Sequence, residues 1–207
     1  MKKSATLTLT MLTIFISSTL TAQNYRTAEE TKGLPVGIKA PDFSAIDQHG
    51  NVFKLSDHLR NGEPVVIVFY RGYWCPVCDK HLGKLQDSLM LIEAAGAKVI
   101  AISPEKPEYL EKMAEKTGAE FQLLFDDGYR IADAYAVTFK AGATTLLIYN
   151  TVLNANLKKT HSDDSQRLPI PATYIIGPEG KIIWRQFNPD YKKRSTVKEI
   201  LDVLRKI

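Results

Sequence analysis

Apolar residues fall into three kinds of run along this chain. The first kind is unbroken: Val65-Val66-Ile67-Val68-Phe69 after Pro64, Val99-Ile100-Ala101-Ile102, and Leu123-Leu124-Phe125 after Gln122. Such runs predict strands buried on both faces of a sheet. The second kind recurs at helical spacing. Cys78, Leu82, Leu85, Leu89 and Ile92 are separated by steps of four, three, four and three, which predicts one helix closed by Gly96. Further helices are predicted over 107–116, with proline tolerated in the first turn, and over 129–135 after the Asp126-Asp127-Gly128 turn. A last one buries Val197, Ile200, Leu201 and Leu204 behind a Thr196/Glu199 capping box. The third kind is paired about turns: one hairpin about 48–51, and another in which 171–176 and 181–185 flank Gly177-Pro178-Glu179-Gly180.

Strands alternating with helices, followed by a hairpin, predict an α/β domain in which helices flank a central mixed sheet, with an N-terminal β-hairpin extension. Residues 139–167 fit none of these patterns. Leu146, Leu147, Ile148, Val152, Leu153 and Leu157 allow a helix and 158–166 reads as a loop, so the stretch is taken as an insertion before the strand that Pro171 opens.

The N-terminus departs from the rest. Lys2 and Lys3 precede a charge-free stretch from 4 to 20, ending in Thr21-Ala22 before polar residues. This layout predicts a secretory signal peptide cleaved after Ala22, a leader over 23–36 and a domain over 37–207, in a periplasmic or secreted protein. A membrane anchor fits less well, because threonines and serines dilute a run already shorter than the ~20 apolar residues a span needs. The formal charge of +4 falls when Lys2 and Lys3 leave, so neither nucleic acid nor a membrane surface is called for as a partner.

Both cysteines of the chain lie in Cys75-Pro76-Val77-Cys78. A bridge closing so small a loop removes little chain entropy, so redox exchange explains the pair better than stapling does. A zinc site would need further ligands, and the nearest candidate is His81; no metal or cofactor is expected. On the predicted helix the two thiols differ. Cys75 lies at the N-terminus, where free N–H groups and the helix dipole favour a thiolate, while Cys78 joins the buried stripe. Cys75 is therefore the nucleophile and Cys78 its resolving partner. Arg71 either adds positive charge or is a solvated surface arginine, and Trp74 either shields the sulfur or simply packs. His81 reads as a helix-surface residue, and His49, His58 and His161 take no role. Pro171 just before a strand is unusual unless no N–H is needed there or its peptide bond is cis.

The motifs Gly37-x-x-Ala40-Pro41-Asp42-Phe43, 69–78 (Phe-Tyr-Arg-Gly-Tyr-Trp-Cys-Pro-Val-Cys) and Pro171-Ala172-Thr173-Tyr174-Ile175-Ile176 come in an order that resembles the alkyl hydroperoxide reductase and thiol-specific antioxidant family, with its thioredoxin fold. The resemblance implies a cis Pro171 facing Cys75 and a peroxidatic role for Cys75. Its sulfenic acid would condense with Cys78, and a thioredoxin-like donor would reduce the disulfide. Arg71, Trp74 and Thr173, inside these motifs, are the supporting candidates. One departure stands out: the family's P-x-x-x-(T/S)-x-x-C reads Val68 and Gly72 here, so the hydroxyl is missing. Arg167 and Arg185 come nearest in order to the family's catalytic arginine. A thiol peroxidase is the first functional reading, a reductase of protein disulfides the alternative, and a binding protein without turnover the third.

Overall fold

The computed structural model describes residues 25–207; the expected signal peptide lies outside the described residues. The first hairpin forms as expected, with β1 (Ser44–Ile46) antiparallel to β2 (Val52–Lys54), and α1 (Leu55–Arg60) follows at once. The unbroken apolar runs become β3 (Val65–Phe69) and β4 (Lys98–Ser103), joined through α2 (Pro76–Gln86) and α3 (Leu89–Ala94). α4 (Pro107–Thr117) leads to β5 (Gln122–Phe125), and a 3₁₀ turn precedes α5 (Arg130–Ala134). Then come β6 (Thr138–Lys140), α6 (Ala143–Thr151), α7 (Leu157–Thr160) and β7 (Arg167–Pro169). β8 (Ala172–Ile176), β9 (Ile182–Phe187) and α8 (Val197–Leu204) complete the chain.

The five-stranded sheet has the order β5-β4-β3-β8-β9. β3 runs parallel to β4 and antiparallel to β8, which makes it the central strand and explains why all five of its side chains are fully buried. Each such side chain contributes about 1.5–3 kcal/mol on leaving water. The C-terminal end of this strand opens into the 71–78 loop and helix start, so a fully buried strand paired on both edges sets the position of the cysteines.

Two expectations are corrected, and a third gains detail. The helix predicted through 78–92 is two helices, because Ser88 takes a non-helical conformation (φ −119°, ψ 10°) and begins α3. Serine and aspartate compete with helical hydrogen bonding, and Asp87-Ser88 breaks the helix while Leu85, Leu89 and Ile92 keep a common buried face. The insertion holds the helix that its apolar residues allowed and closes on itself: Phe139 pairs with Leu168 and Lys140 with Arg167 in a two-stranded ladder. The α6 between them has no buried residue, and Leu147 and Ile148 are exposed. Finally, every described peptide bond is trans, Ile170–Pro171 included. The Ile170 N–H donates to Val137 O (2.7 Å), which carries the ladder as far as Pro171, and β8 begins only at Ala172. The proline thus stands between two strands where no N–H is required, in the isomer that X–Pro bonds ordinarily prefer.

Candidate active site

Pro76 occupies the first turn of α2 and Cys75 caps it with an extended backbone (φ −99°, ψ 103°). Its side chain makes no cap, so the sulfur is free for chemistry, while its carbonyl accepts from the N–H groups of Cys78 (2.9 Å) and Asp79 (3.1 Å). This first turn brings Cys78 Sγ to 2.6 Å from Cys75 Sγ; both are free thiols and both are fully buried.

Two guanidinium groups face the pair. Arg71 Nη2 donates to Cys75 Sγ (3.2 Å), and Arg194 Nη2 reaches Cys78 Sγ at 3.5 Å. Arg71 is 2% exposed, not a solvated arginine. Its guanidinium carbon lies 5.0 Å from the Trp74 ring centroid, 5.2 Å from that of Tyr149 and 4.0 Å from that of Tyr191, and Nη1 donates to the Tyr149 hydroxyl (3.0 Å). Trp74 therefore walls in the cation that contacts Cys75, and desolvated cation–aromatic contacts of this kind are the stronger ones.

The two thiols titrate as one unit. Burial alone penalises a thiolate here, but the hydrogen bond between the sulfurs, Arg194 and Arg71 together bring the first ionisation, on the Cys78 side of the shared proton, well below the ordinary thiol range. The same hydrogen bond, reinforced by burial, holds the remaining proton on Cys75 well above that range. The arrangement keeps one negative charge between two cations on the Cys78 side, whereas the helix N-terminus alone led to a thiolate expected on Cys75.

The missing hydroxyl at position 72 has a steric cause. Gly72 has φ 153°, and a Cβ placed there would come within 2.5 Å of Glu105 Oε1 and 2.6 Å of Trp74 Nε1. Glu105 is fully buried beneath this loop and accepts the Tyr73 N–H (2.7 Å) on Oε2. Burial pushes its carboxyl up to about 8, with Cys78 and Asp79 adding to the rise against the Tyr73 hydrogen bond and Lys116. A protonated carboxyl thus fills the floor of the loop that a threonine would need.

Thr173 pairs in register with Val68, and its hydroxyl bonds to Ser195 Oγ (2.8 Å), which in turn meets His81 Nε2 (3.1 Å). His81, expected on the helix surface, is 6% exposed, and burial, with Arg194 and Lys84, pushes its pKa down to about 4. Pro171 lines a cleft of about 260 Å³ together with Arg71, Tyr149, Ile170 and Tyr191. His161 is also buried, against the Tyr129 hydroxyl (2.7 Å).

Arg167 and Arg185 are engaged elsewhere. Arg167 pairs with Asp133 (2.8 Å) and Asp163 (3.0 Å), and Arg185 donates to the carbonyls of Lys32 (3.0 Å) and Leu34 (2.7 Å). The arginines at the sulfurs are Arg71 and Arg194. Sequence reasoning missed Arg194, Tyr191, Tyr149 and Glu105. For Glu105 a signal existed: an acid two residues after the end of the buried strand 98–103, at the same sheet end as the cysteines.

Residues 36–185 match the AhpC/TSA family, well over half of the chain. The chain belongs to this family. Among relatives, this AhpC/TSA protein is 29% identical to a putative peroxiredoxin of Mycobacterium tuberculosis, over 77% of the present chain and 88% of the relative. It is also 29% identical to the peroxiredoxin Bcp of Bacillus subtilis, over 83% and 96% of the two chains. Among solved structures, the peroxidoxin BcpB of Mycobacterium tuberculosis superposes with a TM-score of 0.64 at 22% identity, over 84% of this chain and 98% of that one, which shows the shared thioredoxin fold.

Proposed function

We propose that this AhpC/TSA protein is a thiol peroxidase that reduces hydroperoxides through a Cys75/Cys78 cycle. The observation that supports this most is the placement of Cys75 Sγ between Arg71 Nη2 at 3.2 Å and Cys78 Sγ at 2.6 Å, at a helix N-terminus. The Cys75 thiolate attacks the near oxygen of the peroxide, the O–O bond breaks, and the leaving oxygen departs as water or alcohol after taking a proton. Arg71 stabilises the charge as it moves from sulfur to oxygen. The resulting sulfenic acid is then attacked by Cys78, which expels its oxygen as water and closes a disulfide within the first turn of α2. Thiol exchange with a thioredoxin-like donor restores the dithiol. The relatives named as peroxiredoxins support the peroxide substrate.

The reading includes export, which rests on the charge pattern of residues 1–22, with 37–207 as the working domain. N-terminal sequencing of the protein from its native host should start at Gln23; a chain that begins at Met1 contradicts export. The peroxidase reading is tested by treating Cys78→Ser with one equivalent of hydrogen peroxide and a dimedone probe. A labelled Cys75 is expected. A protein that stays unlabelled, yet forms mixed disulfides with protein clients, would instead be a reductase of protein disulfides.

A further inference from the structure

A second cleft, of about 500 Å³, opens between α2 and the loop that enters α8. Three exposed cations, Lys80, Lys84 and Lys192, line it against one acid, Asp87. Its wall also includes Arg194 and His81. Arg194 donates from Nε to the Tyr191 carbonyl (2.6 Å) and extends Nη2 to Cys78 Sγ, while its buried Nη1 has no partner. His81, more than nine-tenths buried, holds Ser195 with Nε2 and leaves Nδ1 unpartnered. The cleft is thus positive at its rim, has spare hydrogen-bonding capacity in its wall, and shares one side chain with the resolving sulfur. Of its lining, the peroxide step draws on Arg194 alone.

We propose that this cleft binds a small thiol bearing one or more carboxylates, which reduces the Cys75–Cys78 disulfide by attack on Cys78. The proposal rests on the dithiol cycle above and gives that cycle a low-molecular-weight reductant beside its protein donor. The volume is that of a small-molecule site. Both sulfurs are fully buried, so a reductant has to displace something to reach them, and Arg194 is the half-buried group standing at Cys78. A carboxylate that pairs with Arg194 draws the guanidinium toward the cleft and brings its own sulfur to the place vacated.

The chemistry balances with two thiols. The first thiolate attacks Cys78 Sγ; the protein S–S bond breaks and its electron pair leaves on Cys75, where Arg71 holds the charge. Stabilising the leaving thiolate speeds this step. A second thiolate attacks the small molecule's sulfur in the mixed disulfide, releasing the symmetrical small disulfide and returning Cys78 as a thiolate. Two small thiols are oxidised, the protein disulfide is reduced by two electrons, and solvent supplies the protons.

The test takes the protein oxidised beforehand with diamide, so that no peroxidase activity is needed. Its reduction is followed by tryptophan fluorescence with mercaptosuccinate, 2-mercaptoethanol and cysteamine, and each rate is expressed per thiolate. Mercaptosuccinate is expected to be faster than 2-mercaptoethanol by roughly tenfold at low ionic strength, with saturation, and cysteamine slower than both, since a charged cleft concentrates the opposite charge. The advantage should shrink in high salt. In the Lys84→Glu/Lys192→Glu variant the ratio of the first two rates should fall to about one or below, because the cleft's field is removed. Equal rates for all three thiols, or an anion preference that survives in the double variant, would overturn the proposal. Failure of diamide to form any Cys75–Cys78 disulfide would overturn the dithiol cycle itself, and the proposal with it.

Discussion

The two sides of the dithiol are built differently, although each presents an arginine to a sulfur. On the Cys75 side, Arg71 is enclosed by Trp74, Tyr149 and Tyr191, is 2% exposed, and lies on a loop that buried Glu105 holds from below. On the Cys78 side, Arg194 is half-buried, is held by one backbone carbonyl, and faces a wide cleft among exposed lysines. A fixed, desolvated cation suits a step in which charge moves from sulfur to oxygen, because its field needs no reorganisation. A displaceable cation suits exchange, where one sulfur partner has to give way to another. One disulfide cycle contains both steps, and the two walls divide them.

The largest effect expected from breaking the fixed wall is at Glu105. Its folded carboxyl keeps a proton up to about 8 against an ordinary 4.5, so the stability this protonation contributes is fully present below about pH 4.5 and lost as pH rises through about 8. Glu105→Gln should lack that slope, making the variant more stable relative to the wild type at pH 8.5 than at pH 5 by on the order of 4 kcal/mol, read from urea titrations at the two pH values. Equal slopes would show that the carboxyl is not held neutral. Next comes Arg71→Met. Removing a cation from beside a thiolate raises the thiol pKa by about 1–3 units, so the rate with peroxide at neutral pH should drop about a hundredfold in stopped-flow.

Arg194→Met should cost the same step about tenfold or less, because a partly solvated cation at 3.5 Å contributes less. A loss as large as that of Arg71→Met would erase the distinction between the walls. The smallest effect belongs to Tyr149→Phe, which removes one hydrogen bond from Arg71 but leaves the ring in place. About 1 kcal/mol of stability should be lost in thermal unfolding, with the peroxide rate reduced only a few-fold.

The strands and most helices were legible because hydrophobic period and turn chemistry are local. The proximity of Cys75 and Cys78 was legible for the same reason, since one helical turn fixes it. The thiolate expected on Cys75 was not, because both sulfurs are fully buried and their hydrogen bond, with Arg194 and Arg71, favours the charge on Cys78. What surrounds them was not. Tyr149 reaches Arg71 from a segment whose helix buries none of its residues, so no periodic signal marks it. Arg194 and Tyr191 come from a loop with three consecutive cations, Lys192, Lys193 and Arg194, and nothing in spacing distinguishes the one that turns inward from those that face water. His81 misled in a related way: a polar residue one position from the apolar stripe reads as exposed, yet Ser195 and Thr173 give it buried partners from distant elements. The glycine at 72 looked like a loss of function motif, and only the burial of Glu105 beneath it gives the substitution a physical cause.

The most direct test of the central claim is stopped-flow oxidation of the reduced protein by hydrogen peroxide, followed by tryptophan fluorescence in the wild type, Cys75→Ser and Cys78→Ser. Rapid oxidation, far above the rate of a free thiol, should appear in the wild type and persist in Cys78→Ser without disulfide closure, and it should vanish in Cys75→Ser. Oxidation at free-thiol rates in the wild type, or rapid oxidation that survives in Cys75→Ser, would contradict the assignment of Cys75 as the peroxide-reactive sulfur.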